Sequence, residues 1–419
     1  MQRILIVGAG QSGLQLALSL REPQHANQYA VTVLSGRKPA EIRDGRIMST
    51  QCMFHPALQN ERAHGLNLWE NQAPRIGGIG LSVAGEDGTP ALNWLGLLDN
   101  FAQSVDQRIK MSTWLEVVEQ RGGTVEYREP TPELLDEMAR DYDLVVVAAG
   151  RGPLAELFER DPSRSPYTAP QRALAAAYVH GAGRRPEHPD TDAVRFNVIP
   201  GVGELFIIPG YTFSGACEMP LFEGIPGGPL DCWSGDLEPA EHWAKMRDLM
   251  RQWVPWEYER FKDAQLTDQQ ATLAGRVTPV VRKPVGQLPS GTPVLGMADV
   301  VVTNDPISGQ GANNASKFAQ SYLNSILEHG DRPFDPAWMA EAFERYWAEA
   351  SVITTWTNNM LQPPPGHVMQ VFGAAAMNPG IRNNVANSFA NPNNTTLGWF
   401  LDPAKAENLL HQQPQTVNP

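Results

Sequence analysis

Two glycine-rich turns, far apart in the chain, carry the chemistry that can be read from its residues. The first is Gly8-Ala9-Gly10-Gln11-Ser12-Gly13, entered from the apolar run Ile4-Leu5-Ile6-Val7 and left through the apolar-periodic stretch Leu14 to Leu20. Strand, turn and helix in this order place a pyrophosphate on the amino end of the helix. Gly8 permits the tight turn, Gly10 lets the backbone approach the phosphates, and Gly13 lets helix and strand pack closely. Gln11 and Ser12 open the helix, whose unpaired N–H groups and positive dipole end attract the anion. A β-prone stretch, Tyr29 to Leu34, follows at the spacing of a βαβ unit. An ADP-containing cofactor is expected.

The second turn lies in residues 294–314, where an apolar strand is expected to end at Asp299. A loop with Pro306, Gly309, Gln310 and Gly311 follows, and a helix is expected from about Ala312-Asn313 to Gly330. A flavin dinucleotide is long and needs contacts at two places distant in sequence. Asp299 can hold ribityl hydroxyls, the glycines let backbone touch the isoalloxazine edge, and the helix amino end faces its N1–C2=O side. A reduced flavin is anionic there, so the helix dipole favours it by roughly 0.3–2 kcal/mol. The pair of turns therefore points to FAD.

These turns need a sheet to position them. Residues 3–8, 30–35, 124–127 and 143–149 read as strands of one buried parallel sheet, the last a continuous apolar run ending at Gly150. Arg108 to Arg121 has helical periodicity. Residues 170–235 change character: Leu174–Val179, Val194–Ile199, Glu204–Ile208 and Thr212–Cys217 alternate with Gly/Pro turns, predicting an antiparallel sheet that caps a pocket. Helices are expected over Glu238 to Phe261 and Ala337 to Leu361. The implied organisation is an FAD domain of residues 1–70, 100–165 and 280–335, a substrate sheet domain of 71–99 and 166–279, and a helical region of 336–412.

The chain has 419 residues, 42% hydrophobic and 19% charged, with a net charge of -13. That composition suits an ordinary globular enzyme, and the acidity argues against nucleic-acid or membrane partners, which need a basic face. Cys52, Cys217 and Cys232 are widely spaced and suggest neither a disulfide framework nor a metal site. With no signal-peptide pattern, a cytoplasmic location is expected.

The two turns, with Arg37-Lys38-Pro39, Arg121-Gly122-Gly123, Tyr142–Gly150, Asp305 through Asn313, and Arg345 through Trp356-Thr357-Asn358, resemble flavoprotein monooxygenases, and within them the styrene and indole monooxygenases. The resemblance implies an α/β fold: a glutathione-reductase-type Rossmann FAD-binding domain, an antiparallel β-sheet substrate domain and C-terminal helices. It also implies a two-component system, in which a separate NADH-dependent flavin reductase supplies FADH2. Oxygen then adds to give a C4a-hydroperoxyflavin that epoxidises an aromatic or vinyl double bond, and the enzyme is a homodimer. A departure lies after the second strand. Ser35 stands where an acidic residue often holds the adenosine ribose, and Arg37 could stack on or hydrogen-bond the adenosine. Gly150-Arg151-Gly152 is only a partial second fingerprint, consistent with reduction by an external partner.

Arg46 through Met53 is the segment expected to face the chemistry, with Arg46 beside the flavin and Arg108 a further cofactor contact. If the segment is extended, Ser49, Gln51 and Met53 share a face. Their Ser-x-Gln-x-Met pattern resembles the indole branch, whereas the styrene branch typically carries Asn-x-Val-x-His. Ser49 or Gln51 would then accept an indole N–H, with Met53 against the ring and Trp94 and Phe213 as weaker candidates for pocket walls. No His-Glu-x-x-His, Gly-x-Ser-x-Gly or ligand-spaced cluster appears, which suits a dry cavity more than a general base. Indole epoxidation, leading to indoxyl and indigo, is the leading expectation. Styrene epoxidation, single-component NAD(P)H-driven hydroxylation and a non-catalytic flavin carrier are its alternatives.

Overall fold

The computed structural model describes residues 1–150, 152–233 and 237–411; Arg151 of the partial second fingerprint lies outside them. Two sheets organise the chain. The first contains β1 (Gln2–Val7), β2 (Tyr29–Ser35), β5 (Thr124–Tyr127), β6 (Leu144–Val147), β15 (Val285–Gln287) and β16 (Pro293–Gly296), in the order β15-β16-β6-β1-β2-β5. All neighbours are parallel except the β15–β16 pair. Ile4 to Val7 and Val146-Val147 are fully buried, because helices cover both faces, and this is why those strands are continuously apolar.

The strand entering the second turn closes at Gly296, three residues before the expected end. Ala298 takes a φ of 56°, which breaks the ladder, and Asp299 falls in the single 3-10 turn Ala298–Val300. A two-stranded pair, β14 (Val280–Val281) with β17 (Val302–Thr303), brackets this turn.

The second sheet contains β3 (Ile76–Ala84), β4 (Pro90–Ala102), β7 (Ala173–Ala177), β8 (Val179–His180), β9 (Ala193–Ile199), β10 (Gly203–Thr212), β11 (Gly215–Gly224), β12 (Gln265–Leu266) and β13 (Thr272–Arg276). Its main path runs β12-β8-β11-β10-β9-β3-β4, with β7 joining β11 to β13. The pairs are antiparallel except β3–β9, which is parallel. No hairpin links those two strands, since β5 and β6 of the first sheet intervene in sequence, so nothing local dictates their direction. Thr212–Cys217, read above as a strand, is a hairpin: Thr212 pairs with Gly215, whose φ is 105°, around Phe213-Ser214. The stretch from Glu238 is also two helices, Pro239–Trp253 and Pro255–Phe261. Pro255 cannot donate the hydrogen bond that would continue the first.

One face of this sheet packs on the helices 239–261 and the other on the C-terminal helices. The edge strand β4 is covered by the helix Pro379–Ala390. Asn383 Oδ1 accepts from Leu97 N at 2.9 Å and Asn387 Oδ1 from Asp99 N at 3.0 Å. Asparagine side chains thus satisfy an edge that would otherwise recruit another strand. Gly96 makes the approach possible, since a Cβ there would lie 2.3 Å from Arg382 O. Gly96→Ala is expected to force the helix off the edge and lower stability by about 1–3 kcal/mol, measured by urea unfolding.

Candidate active site

Gly8 has a φ of 113°, and a Cβ on Gly13 would meet Gly8 O at 2.2 Å, so strand and helix touch backbone to backbone. Gly10 is different: a Cβ there meets nothing within 4 Å. Its role is to leave a cradle open. The helix Gln11–Leu20 has no side-chain cap and no acidic residue in its first turn, so its leading N–H groups are available to an anion. Gln11 turns its carboxamide inward, donating to Glu61 Oε1 at 3.0 Å and Gln15 Oε1 at 3.1 Å. Glu61 also pairs with Lys110. What Gln11 offers the cradle is its backbone. Ser12 is likewise buried. The Ser35 hydroxyl closes a local turn, donating to Arg37 O at 2.7 Å. Exposed Arg37 reaches Met48 Sδ at 3.1 Å, linking the turn after β2 to the segment 46–53.

In the second turn, Asp305 caps the 3-10 turn Pro306–Ser308, its Oδ1 accepting from Ile307 N at 3.1 Å. Gly309 follows with a φ of 66°, and the helix Gly311–His329 begins two residues later. Cβ atoms on Gly309 or Gly311 would meet nothing within 4 Å. The end of β6 abuts the same region, since a Cβ on Gly150 would lie 2.6 Å from Asp299 Cβ.

Residues 46–54 form the seam between the sheets. They belong to no strand, and only Met53 makes a bridge, exchanging backbone hydrogen bonds with Gln103 at 2.8 and 3.0 Å. On the side of the second sheet, Ile47 N donates to Gln270 O at 3.0 Å, and Tyr178 Oη donates to Ser49 O at 2.7 Å. On the side of the second turn, Asn313 Nδ2 donates to Cys52 O at 2.8 Å and to Gly309 O at 3.1 Å, while its Oδ1 accepts from Phe54 N at 2.8 Å. Ser49 Oγ donates to Gln51 Oε1 at 3.3 Å, and Gln51 Nε2 donates to Val105 O. Ser49 and Gln51 therefore do share a face. Met53 packs with Ala57, Leu58, Phe101 and Ala312, so the thioether touches the first turn of the second helix. Tyr178 and Gln103, which hold this seam, were not among the expected site residues: Tyr178 falls in the β-prone run Leu174–Val179, and nothing in the sequence marks either side chain as a partner of residues 46–53.

The chain matches the family model "Styrene monooxygenase A putative substrate binding domain" over residues 150–260. It is 31% identical over 366 residues to styrene monooxygenase StyA of Pseudomonas fluorescens, covering 86% of this chain and 85% of that protein. A second StyA, from a Pseudomonas species, is 30% identical over 363 residues, covering 85% and 84%. The chain belongs to the styrene monooxygenase family. Its fold is shared with the flavin-dependent brominase Bmp2, at a TM-score of 0.65 and 15% identity over 97% of both chains.

As a member of that family the chain is a flavoprotein with FAD as its cofactor, and its residues fit that group. Three glycines leave open space at the two turns. Around the second, Asn304 Oδ1, Gln310 Oε1 and both amide atoms of Asn314 are buried with no hydrogen-bond partner among the described residues, as expected of a surface shaped for a polar guest. Exposed Asp299 stands at the end of the first sheet, where the ribityl chain would pass. Arg46 is exposed at the mouth of the seam.

Two of the expected contacts, Arg108 and Trp94, are engaged within the protein itself. Arg108 is 2% exposed and gives its donors to Asp106 and Asp268, with Nη2 at 2.7 and 2.8 Å from their carboxylates. Its charge is balanced, so a pyrophosphate would gain little from it. Its guanidinium also lies over Phe213, 5.2 Å from the ring centroid, which brings together two residues assigned to different ligands. Phe213 is 50% exposed at its hairpin. Trp94 is buried in β4, donating from Nε1 to Phe372 O at 3.1 Å, and helps to hold the C-terminal helices. Among the described residues, no helix is long and apolar enough to cross a membrane.

Gly10→Val is expected to fold normally, because its Cβ meets open space, yet to weaken FAD binding at least tenfold by occupying the phosphate cradle. Titration followed by flavin fluorescence, beside a thermal melt, checks both halves. Asn313→Ala is expected to cost about 1–3 kcal/mol by stranding two buried backbone groups, measured by chemical denaturation.

Proposed function

We propose that this chain is the oxygenase component of a two-component flavoprotein monooxygenase that epoxidises the 2,3-double bond of indole. A separate NADH-dependent reductase would supply FADH2, and the oxygenase would work as a homodimer in the cytoplasm. When bound and reduced, the flavin supplies an activated oxygen atom from O2 to an electron-rich double bond. The protein's part is to bind and orient the arene and to keep the cavity dry and neutral.

The observation that carries the substrate reading is the Ser49–Gln51 pair. The Ser49 O–H is spent on Gln51 Oε1, and Gln51 Nε2 is spent on Val105 O, so the lone pairs of Ser49 Oγ remain to accept an N–H. Indole has such a donor and styrene does not. Neighbouring groups are held uncharged by burial: it pushes the Cys52 thiol and the Tyr178 phenol well above their ordinary ranges. Neither can serve as a base at neutral pH. Tyr178 instead acts as a permanent donor that fixes the Ser49 carbonyl.

Styrene is the second reading, favoured by the names of the two curated relatives. The two separate by rate under one supply of FADH2. Ser49→Ala is expected to lower kcat/KM for indole by about 2- to 10-fold, the value of one neutral hydrogen bond, and to leave styrene unchanged. The triple variant Ser49→Asn, Gln51→Val, Met53→His is expected to shift preference toward styrene. Equal losses on both substrates would reject the hydrogen-bond assignment. Rapid NADH consumption by the purified chain without a reductase would reject the two-component reading.

A further inference from the structure

Beneath the second turn, away from the seam, three carboxylates and one guanidinium are buried together. Glu204 on β10 and Glu223 on β11 are cross-strand partners in the antiparallel register. Asp305 approaches from the second turn, and Arg172 from the residue before β7. Glu223 is 0% exposed, Asp305 2%, Arg172 6% and Glu204 7%. Arg172 is committed to Glu204: Nε and Nη2 clamp the two oxygens of Glu204 at 2.7 and 3.0 Å, and Nη1 donates to Gln171 O at 3.0 Å. Among the described residues it gives no hydrogen bond to either of the other two acids. Both oxygens of Glu223 and Oδ2 of Asp305 are buried without a donor, although these two carboxyls lie within hydrogen-bonding reach of each other.

Two acceptors in contact, sealed from water and facing no further cation, are tenable only if one carries a proton. Asp305 is the better anion, because its other oxygen already accepts from Ile307 N and its carboxyl is near enough to Arg172 to feel the charge. Glu223 has no backbone donor, and the pull of Arg172 on it is outweighed. Burial, then the charges of Asp305 and Glu204, push its carboxyl well above the carboxylate range.

We propose that Glu223 is a positioning residue: as the neutral acid it donates a hydrogen bond to Asp305 and ties the flavin-contacting turn 305–311 to the substrate sheet. The proposal rests on the flavin reading of that turn. Asp305 caps the turn through Ile307 N, so the bond from Glu223 fixes the geometry in which Gly309 and Gly311 present open backbone. Ionisation of Glu223 sets two anions against each other and releases the turn. The sign follows from the raised pKa: the tie is complete at low pH and is lost as pH rises through the value in the folded protein. No covalent change is involved, only one proton moving to solvent.

The test compares the wild type with Glu223→Gln, which keeps a donor and cannot ionise, and with Glu223→Leu, which removes the donor. In the flavin-free protein, wild-type amides of residues 307–311 should exchange faster at alkaline pH, beyond the base-catalysed rise common to every amide. Glu223→Gln should show no such excess, and Glu223→Leu should show it at every pH. Wild-type FAD affinity should fall by up to about tenfold per pH unit above the transition and stay flat in Glu223→Gln. Because buried Glu218 is also pushed up, to about 8, the infrared readout is the wild-type minus Glu223→Gln difference at neutral pH, which should show a protonated carboxylic-acid band. An alkaline step that persists in Glu223→Gln, or the absence of that difference band, overturns the proposal. If the wild type binds no FAD at any pH, the flavin reading fails, while amide exchange and the infrared band still decide the carboxyl pair.

Discussion

The site depends on one carboxamide. Asn313 sits in the first turn of a long helix and makes three hydrogen bonds, to Cys52 O, to Gly309 O and from Phe54 N. It thereby joins three things that the proposed oxygen transfer needs in register: the turn proposed to approach the flavin, the helix that follows it, and the segment proposed to meet the arene. A buried carboxamide suits this role because it can donate twice and accept at fixed angles, and each bond it makes satisfies a backbone group with no other partner at the seam. The surrounding contacts repeat the principle. Tyr178, Gln103 and Gln270 anchor the same segment through its backbone.

Around this seam the molecule divides its charge carefully. Arg108, Lys110, Arg172 and Arg185 are all nearly buried, and each faces a carboxylate. Such pairs add little net stability, but removing one partner leaves a buried charge and is costly. They act as fixed pegs between elements. Arg108 holds the start of its helix to Asp268 beside β13, and Arg185 holds the chain before β9 to Glu257 of the helix Pro255–Phe261. The acid group beneath the second turn goes further, with three buried carboxylates to one cation and two of them without an ion pair, and a proton is the simplest way to balance it.

Much of the first sheet was legible, because parallel strands buried on both faces must be continuously apolar and glycine turns of this kind have few alternatives. The second sheet was legible as a region and less so in detail. Thr212–Cys217 is β-prone yet forms a hairpin, since Gly215 supplies a left-handed residue that local β-propensity ignores. The parallel β3–β9 pair was invisible, because it joins distant segments. In the site, the shared face of Ser49 and Gln51 followed from strand periodicity alone. The engagement of Arg108 with two aspartates, and of the Trp94 indole with Phe372 O, did not follow from it, because a side chain's partner is chosen by whatever the fold brings beside it.

The sequence by itself determined two separated glycine turns, since the φ of 113° at Gly8 and the backbone contact between Gly13 and Gly8 leave no room for a side chain. It also determined the order of polar groups along residues 46–53. Tertiary structure alone decided which donors remain available to a ligand and which are spent, and where the surplus carboxyl proton must reside. Those are properties of distance and burial, and in a linear chain Glu223 and Asp305 are merely two acidic residues in separate segments.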